Sequence, residues 1–362
     1  MARKTVLLLG AGASIADVAT KPMKSRPPLD RGFFSTASAT LPSDGRVRTV
    51  RKYVADAYGI DILAVQHDSL EGVMGRIYPD LFNDLLRVHA LTAFRALLQL
   101  FTDRLATTTN GIRATQKRLL YRILSQLLSD GCRPGDITIV TFNQDLQVEK
   151  ILEHLSETKR WEAIAPLLFS FPELYSVAAG TWEGVTGPMP GENAEVFTRT
   201  DAERNCLRVL KLHGSLNWYS THTSTTPSRS AMFRADRRLS VTRRRTIAPD
   251  MALSRESRKV YTLPVVVPPV THKSSVQHNA VARIWTLAKR RLIEADDLVV
   301  FGYSCPPLDF ESANLLARAQ RQRSDSSTIS VIDPAGSVAT RYIDLLAPKR
   351  LRYYATAHDF LR

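Results

Sequence analysis

Short and almost continuously apolar segments, separated by longer stretches with a helical repeat, limit the fold of this chain more than any other feature. The first segment, Thr5–Leu9, runs directly into Gly10-Ala11-Gly12-Ala13-Ser14. Similar segments follow at residues 136–142, 208–212, 263–267, 298–301 and 328–332. Few polar residues alternate with the apolar ones, which is typical of strands that are covered on both faces. The pattern predicts an α/β fold with a doubly wound, Rossmann-like parallel sheet.

A helical lobe interrupts this alternation early in the chain. Between residues 80 and 105 apolar side chains recur every three or four positions, which predicts one long amphipathic helix. A second helix is predicted over residues 115–129, with Gly131 just beyond its end. We therefore expect residues 1–362 to form one domain that carries a helical insertion at residues 45–132. Later helices are predicted at residues 147–155, 276–294 and 310–323.

The positive charge of the chain is concentrated in two segments. The formal net charge is +14, of which residues 221–259 carry +7 and residues 20–52 carry +6. Both segments are rich in Ser, Thr and Pro, which predicts surface loops, and the first forms a basic, Arg-rich insertion at residues 220–260. This insertion is either a solvated loop or a surface that contacts the phosphates of nucleic acid or of a nucleotide. A base-stacking platform is not supported, because Phe233 is the single aromatic residue among these arginines.

The cysteines and the lengths of the apolar segments exclude several classes of protein. Cys132, Cys206 and Cys305 lie far apart, which favours neither a disulfide framework nor a zinc site built on CxxC pairs. No segment approaches the roughly 20 consecutive apolar residues of a membrane helix. The N-terminus has the basic and apolar residues of a signal peptide, but its apolar part, residues 6–9, is interrupted by Gly10. We expect a cytoplasmic protein without zinc and without a membrane partner.

Small and polar residues follow the predicted strands at the points where the strands end. In a parallel sheet ligands bind beyond the carboxyl ends of the strands, so these residues are the candidates for a site. Gly10 and Gly12 follow the first strand, where glycines let backbone N–H groups approach a pyrophosphate, although a plain tight turn has the same pattern. Asn143 and Asp145 follow the second strand, and an Asx turn or a helix N-cap is the alternative interpretation of this pair.

Later strand ends add further candidates. His213 stands beside Gly214 after the third predicted strand, although a lone histidine is more often structural than catalytic. Gly302 and Ser304 follow the segment that ends at residue 301. Asp333 follows the last predicted strand, where a carboxylate can accept hydrogen bonds from ribose hydroxyls.

Taken in order, these motifs resemble the pattern of the sirtuin (silent information regulator) superfamily. The shared order is a GAGxS phosphate loop, a TxNxD motif, a K-x-HG motif, a GxS motif and a late strand end that grips the adenosine ribose, extending discontinuously from Val6 to about Pro334. The resemblance implies roles for residues at each strand end: Gly10, Ala11, Gly12 and Ser14 hold the diphosphate, Asn143 and Asp145 line the nicotinamide-ribose pocket, His213 is the catalytic histidine, Gly302 and Ser304 meet phosphate or ribose, and Asp333 meets the adenosine ribose.

The chain departs from the protein deacylases of this superfamily in a way that bears on function. Those deacylases carry a four-cysteine zinc module between the HG and GxS motifs, whereas this chain has no cysteine between Cys206 and Cys305. Sirtuin-like proteins without the module resemble bacterial anti-phage effectors, such as the HerA-associated ones, that deplete NAD within large assemblies. The resemblance therefore implies a homo-oligomer and a partner protein such as a HerA-like ATPase.

The activity that the resemblance implies is that of a NAD glycohydrolase (NAD+ nucleosidase), with NAD as its substrate. Such a hydrolase cleaves NAD+ to nicotinamide and ADP-ribose, with Asn143 positioning water or the ribose and His213 accepting a proton. Its biological role would be NAD depletion in anti-phage defence and abortive infection. Two alternatives stay open: a protein deacylase or ADP-ribosyltransferase, and a non-catalytic subunit that binds NAD or contacts DNA through residues 221–259.

Overall fold

The structure, a computed structural model, describes residues 3–18, 26–27, 30, 32–40, 44–64, 66–67, 69–110, 112–130, 132–168, 174–175, 180–181, 206–222, 232–234, 253–255, 258–267, 279–307 and 309–362. Within these residues the strands are β1 (Thr5–Leu9), β2 (Ile137–Thr141), β3 (Gly180–Thr181), β4 (Arg208–Lys211), β5 (Gly214–His222), β6 (Met232–Arg234), β7 (Leu253–Arg255), β8 (Arg258–Val266), β9 (Asp297–Phe301), β10 (Thr328–Ile332) and β11 (Leu351–Tyr354). The α-helices are α1 (Ala11–Ile15), α2 (Phe33–Thr40), α3 (Gly45–Tyr58), α4 (Leu70–Asp80), α5 (Arg87–Asn110), α6 (Leu119–Ser129), α7 (Gln147–Ser156), α8 (Asn279–Glu294), α9 (Phe310–Gln320), α10 (Gly336–Leu346) and α11 (Ala357–Phe360). Short 3₁₀ helices span Ala16–Val18, Pro134–Asp136 and Lys159–Leu168.

The described residues belong to two compact units. Unit 1 draws on Met1–Asp17, Arg113–Val266 and Gln277–Arg362, and unit 2 on Val18–Ile112 and Val267–Val276. All of the strands and every candidate site residue lie in unit 1, whereas α2 to α5 lie in unit 2.

A parallel sheet lies at the centre of unit 1. Among the described residues, six strands pair in the order β11-β10-β9-β1-β2-β4, and every pairing is parallel. Numbered along the chain this order is 6-5-4-1-2-3, that of a doubly wound sheet whose winding reverses between its first and fourth strands. The residues of β1, β2, β4 and β10 are buried throughout, because helices cover the sheet. The predicted α/β fold with a Rossmann-like parallel sheet is confirmed.

A second sheet in unit 1 has a different organisation. Its order is β3-β6-β5-β8-β7, and β5 pairs antiparallel with both β6 and β8. Residues 263–267, expected to form one more strand of the parallel sheet, lie almost wholly in β8 and pair with β5. That expectation is wrong because an apolar segment predicts a buried strand without specifying the strand that pairs with it.

Among the strands that the sequence analysis missed, β5 and β11 contain polar residues. β5 begins at Gly214, directly after His213, and contains Ser, Asn and Thr. β11 reads Leu-Arg-Tyr-Tyr, and among the described residues it pairs with β10 alone, at the edge of the parallel sheet. Strands with polar residues lack the apolar signal that marks the central strands.

Unit 2 contains a break that the helical repeat did not predict. The helix expected over residues 80–105 begins only at Arg87, as α5, because α4 ends at Asp80 and residues 81–86 form turns. Pro79 lies in the last turn of α4, and the Asn83 side chain accepts a hydrogen bond from the backbone N–H of Leu85 at 3.0 Å in the connecting turn. Leu85, which fits the helical repeat, is therefore 91% exposed.

The remaining sequence predictions concern the bounds of one helix and of two insertions. The helix expected at residues 115–129 begins at Leu119 in the structure, as α6, and belongs to unit 1. The bounds of the helical insertion, 45–132, stay a prediction. Most of the basic insertion at residues 220–260 lies outside the described residues.

Of the helices that the structure describes, none combines the length and apolar character needed to cross a membrane.

Candidate functional site

The carboxyl ends of the parallel strands are level with one another. One row of paired residues crosses the sheet at this edge: Lys211, Thr141, Leu9, Phe301 and Ile332, on β4, β2, β1, β9 and β10. Asn143 and His213 each stand two positions beyond this row, on neighbouring strands that are about 4.8 Å apart. β1 and β9 are neighbours at the point where the winding reverses, which is where ligands bind in sheets of this kind.

The turns after β1 and β9 interlock, and glycine is required where they touch. A Cβ atom on Gly10 would lie 2.6 Å from the carbonyl O of Gly302, and a Cβ atom on Gly12 would lie 2.8 Å from the Cα of Gly302. Gly302 has a φ of +63°, and a Cβ atom there would lie 2.2 Å from the backbone N of Ala13. The N–H of Gly12 donates to the carbonyl O of Gly302 at 2.9 Å. Backbone packing between the turns therefore explains these glycines, whereas Ala11 is exposed.

The Asn143 side chain connects the turn after β2 to the turn after β1. Its Nδ2 donates to the carbonyl O of Gly10 at 2.8 Å and to Oγ of Ser14 at 3.0 Å. Its backbone N–H donates to Oγ1 of Thr141 at 3.0 Å, which holds the turn itself. Asn143 is half-buried.

Ser14 and Asp145 are buried behind Asn143. The Ser14 hydroxyl, in a residue that is 3% exposed, donates to Oδ2 of Asp145 at 2.7 Å. Oδ1 of Asp145 accepts from the backbone N–H of Gln147 at 2.9 Å, which is the Asx turn that the sequence allowed as an alternative. Both carboxylate oxygens are therefore bonded within the protein, and a direct contact of Ser14 with a diphosphate or of Asp145 with a ribose stays a prediction.

A buried ion pair beneath this turn escaped the sequence analysis. The ammonium of Lys211 donates to Oε1 of Glu149 at 2.9 Å, with both side chains 0% exposed, and it also donates to the backbone carbonyl O of Asp145. The Tyr175 hydroxyl donates to the same Glu149 oxygen at 2.8 Å. Burial, and then the charge of Glu149, raise the pKa of Tyr175 well above its usual value. A lysine at the end of an apolar strand and a glutamate near the start of α7 were the available signals.

His213 lies against aromatic side chains. Its ring centroid is 5.2 Å from that of Phe142 and 6.3 Å from that of Trp285, and the residue is 9% exposed. Trp285 on α8 donates its indole N–H to the carbonyl O of Leu212 at 2.8 Å, which fixes the indole beside the His213 turn. Gly214 completes the turn with a φ of +75°, where a Cβ atom would lie 2.0 Å from the carbonyl O of Val265.

The turn after β9 is held on two sides. The Tyr303 ring stacks on Phe142 with centroids 4.1 Å apart, and its hydroxyl donates to Oδ2 of Asp309 at 2.9 Å. Burial is the main cause that raises the pKa of Tyr303 well above its usual value. Arg341 on α10 donates to the backbone carbonyl O of Ser304 at 2.7 Å, so it constrains the backbone and leaves the Ser304 hydroxyl out of this bond.

Asp333 lies at the opposite end of the row from His213. Its Oδ1 accepts from the backbone N–H of Ala335 at 2.9 Å, and its own N–H donates to the carbonyl O of Tyr354 at 3.1 Å. Burial raises the pKa of Asp333, and the bond from Ala335 partly offsets that rise. Four strand intervals separate β4 from β10, a distance of about 19 Å at ordinary strand spacing.

The candidates thus lie at four places along one edge of the sheet. Gly10, Gly12 and Gly302 contact one another at the point of reversal, and Ser14, Asn143 and Asp145 form a hydrogen-bonded cluster beside them. His213 is joined to this region through Phe142, the residue that precedes Asn143. Asp333 stands at the far end, in the next turn along from Ser304.

Comparison with known proteins adds little to this geometry. No protein-family model matches the chain, and no curated protein matches it. A solved structure does match, the crystal structure of Sir2 in complex with the inhibitor EX-527, 2′-O-acetyl-ADP-ribose and deacetylated p53 peptide. The two chains are 12% identical, the match covers 100% of this chain and 92% of that one, and the TM-score is 0.39. The fold assignment accordingly rests on the strand order and register described above.

Within the part of the chain that the structure describes, no group of three or more His, Cys, Asp or Glu side chains is placed to hold a metal ion.

Proposed function

We propose that this chain hydrolyses NAD+ to nicotinamide and ADP-ribose. The proposal depends on the equivalent positions of Asn143 and His213. Thr141 and Lys211 pair with each other on adjacent strands, and Asn143 and His213 each follow two residues later. A carboxamide and an imidazole at the carboxyl edge of a doubly wound sheet, close to its point of reversal, are suited to a dinucleotide substrate. The sirtuin-like order of motifs supports the same assignment.

The acceptor of the ADP-ribosyl group is proposed to be water. Deacylation requires a cleft for an acyl-lysine peptide, which the zinc module helps to shape in the sirtuin deacylases. This chain has no cysteine between Cys206 and Cys305, where that module would lie. Without that cleft, water is the acceptor at hand, and hydrolysis is the expected outcome.

The reaction breaks the bond between C1′ of the ribose and N1 of nicotinamide. The bonding electron pair leaves with nicotinamide, which departs as a neutral molecule and needs no general acid. Water then adds to the cationic C1′ and loses a proton. In the proposed mechanism Asn143 orients the water or a ribose hydroxyl through its side-chain oxygen, and His213 accepts the proton. Phe142 and Trp285 hold the imidazole in place, and they shield it from bulk water.

The remaining candidates are proposed to bind the substrate. Asp333, at the far end of the row, would accept hydrogen bonds from the adenosine ribose. Gly10, Ala11, Gly12, Gly302 and Ser304 surround the point of reversal, where the diphosphate would lie. We further propose that the activity, which serves anti-phage defence, is switched on within an assembly, as a homo-oligomer and with a HerA-like ATPase, because an NADase that is always active would kill its own cell.

The test is nicotinamide release from NAD+ by wild-type protein and by the variants Asn143→Ala and His213→Ala. We expect each variant to lose on the order of 10²–10⁴-fold in rate, the size of a general-base contribution. His154→Ala, on the outer part of α7, and Asn83→Ala, in unit 2, are matched controls that should retain the rate. The measurement is repeated with the candidate ATPase partner. Folded variants that release nicotinamide as fast as wild type would contradict the proposal.

A further inference from the structure

The orientation of the Asn143 amide is decided by the atoms around it. A backbone carbonyl O can only accept a hydrogen bond, so the amide atom 2.8 Å from the Gly10 carbonyl must be the nitrogen. The second amide hydrogen is directed to Oγ of Ser14 at 3.0 Å. Both hydrogens of Nδ2 are therefore used within the protein, and Oδ1 points away from Gly10 and Ser14.

The direction of the Ser14 hydroxyl follows from the same bonds. Since Oγ of Ser14 accepts from Asn143, its single hydrogen is left for Oδ2 of Asp145, 2.7 Å away. The other oxygen of Asp145 is held by the backbone N–H of Gln147. The three side chains form one directed series of hydrogen bonds, from Asn143 through Ser14 to Asp145, that ends on a carboxylate.

The series is well placed to be rigid. Ser14 is 3% and Asp145 is 4% exposed, so water competes little for these bonds. The Gln147 side chain, next to the anchoring N–H, accepts a hydrogen bond from Arg118 at 2.6 Å, and the Asp145 carbonyl accepts from Lys211. The Asp145 end of the series is therefore fixed by residues outside the strand-end turns, and the Asn143 end is fixed by the carbonyl O of Gly10.

We propose that Ser14 and Asp145 are positioning residues that hold Asn143 in one amide orientation, with Oδ1 as the only atom it offers to a ligand. Asn143 would then act as a hydrogen-bond acceptor, suited to the O–H of a water or of a ribose hydroxyl. The chemical consequence rests on the proposed NAD hydrolysis, whereas the orientation itself does not. The resemblance to the sirtuins implied different roles for Ser14 and Asp145, in contact with the diphosphate and the ribose pocket.

An isosteric variant separates this proposal from a general role in packing. In Asp145→Asn the new amide conflicts in either orientation. Either its NH₂ meets the Gln147 N–H, or its NH₂ donates to Oγ of Ser14 and the Ser14 hydroxyl hydrogen loses its acceptor. The shape is retained while the direction of the series is lost. Ser14→Ala removes the middle of the series, and Ser330→Ala, a buried serine on β10, controls for the loss of a hydroxyl.

The first readout is NMR of protein labelled with ¹⁵N-asparagine, with Asn143→Asp identifying the Asn143 side-chain signal. We expect the Asn143 NH₂ hydrogens to exchange with water about two- to tenfold faster in Ser14→Ala and in Asp145→Asn than in wild type, the effect of losing one buried hydrogen bond. Ser330→Ala should leave the exchange unchanged. Equal exchange in wild type and in both variants would overturn the proposal, whatever the enzymatic result.

The second readout separates this inference from the proposed function. In the NADase assay both variants should lose on the order of tenfold in kcat with little change in KM, because the acceptor is misoriented while the binding residues remain. A change in KM alone would contradict a positioning role and favour direct contact with the substrate. The two readouts can also disagree. If exchange is faster in the variants but the wild-type protein never consumes NAD, alone or with its partner, the positioning role stands and the proposed hydrolysis is refuted.

Discussion

At the scale of single residues, the hydrogen bonds within the protein determine which polar atoms at this edge of the sheet stay available to a ligand. Asp145 uses both carboxylate oxygens within the protein, and Asn143 uses its whole NH₂ group. Lys211 belongs to the K-x-HG motif, but its side chain is fully buried and bonds to Glu149. The residue types of the motifs are thus divided between those that face a ligand and those that hold the others in place.

Replacement of Lys211 by Met should be strongly destabilising. It leaves Glu149 buried without its counter-charge, which typically costs about 3–5 kcal/mol. The double variant Lys211→Met/Glu149→Gln should recover much of this loss, because the glutamine still accepts from Tyr175. Urea denaturation measures the free energy of unfolding.

The exposed pair of Lys349 and Asp325 provides the matched control for that experiment. Its side chains are 65% and 79% exposed, so Lys349→Met should cost less than about 1 kcal/mol. Equal losses from Lys211→Met and Lys349→Met would show that the Lys211 pair contributes no more than a surface contact.

Asp333 predicts a pH dependence of stability. Because burial raises its pKa in the folded protein, the folded state keeps this proton at a pH where the unfolded carboxyl, with a pKa of about 3.9, has lost it. The contribution of Asp333 to stability therefore falls as the pH rises through the folded pKa. Asp333→Asn, which still accepts from Ala335, should gain in melting temperature relative to wild type between pH 4 and pH 7. A difference that is constant with pH would refute this account.

At the scale of elements, the turns after β1 and β9 act as a single structure. Gly10 and Gly12 on one side and Gly302 on the other allow backbone contacts that no larger residue permits. The order of the motifs suggested that these glycines bind a phosphate. The register of β1 with β9 indicates that they also join the two halves of the sheet. This contact lies between the first and fourth strands, where the winding reverses.

Gly302→Ala should be far more destabilising than Gly59→Ala. Both glycines have positive φ, +63° and +66°, so an alanine at either position costs about 1–2 kcal/mol in backbone conformation. Gly59 has nothing within 4 Å of the added Cβ, whereas the Cβ at Gly302 meets the backbone of Gly12 and Ala13. Overpacking should add about 1–3 kcal/mol at Gly302. Similar unfolding free energies for the two variants would exclude the interlocked turns.

At the scale of the whole molecule, the central strands were predictable and their partners were only partly so. β1, β2 and β10 are short segments rich in Val, Ile and Leu that are buried throughout, a signal that is local in the chain. β8 was assigned to the wrong sheet, because its pairing with β5 depends on residues 39 to 52 positions away. The break between α4 and α5 was missed because the apolar repeat continues through Leu85, a residue that the turn exposes.

The amino-acid sequence alone determined the parallel sheet and the positions of the strand-end motifs, because apolar segment length and residue type are local properties. Only the tertiary structure decided which side-chain atoms of those motifs are already bonded. The bonds of Ser14 to Asp145 and of Asn143 to Gly10 join residues 131 and 133 positions apart. No local pattern carries the direction of such hydrogen bonds, since it is set by the register of neighbouring strands and by the donors and acceptors that this register brings together.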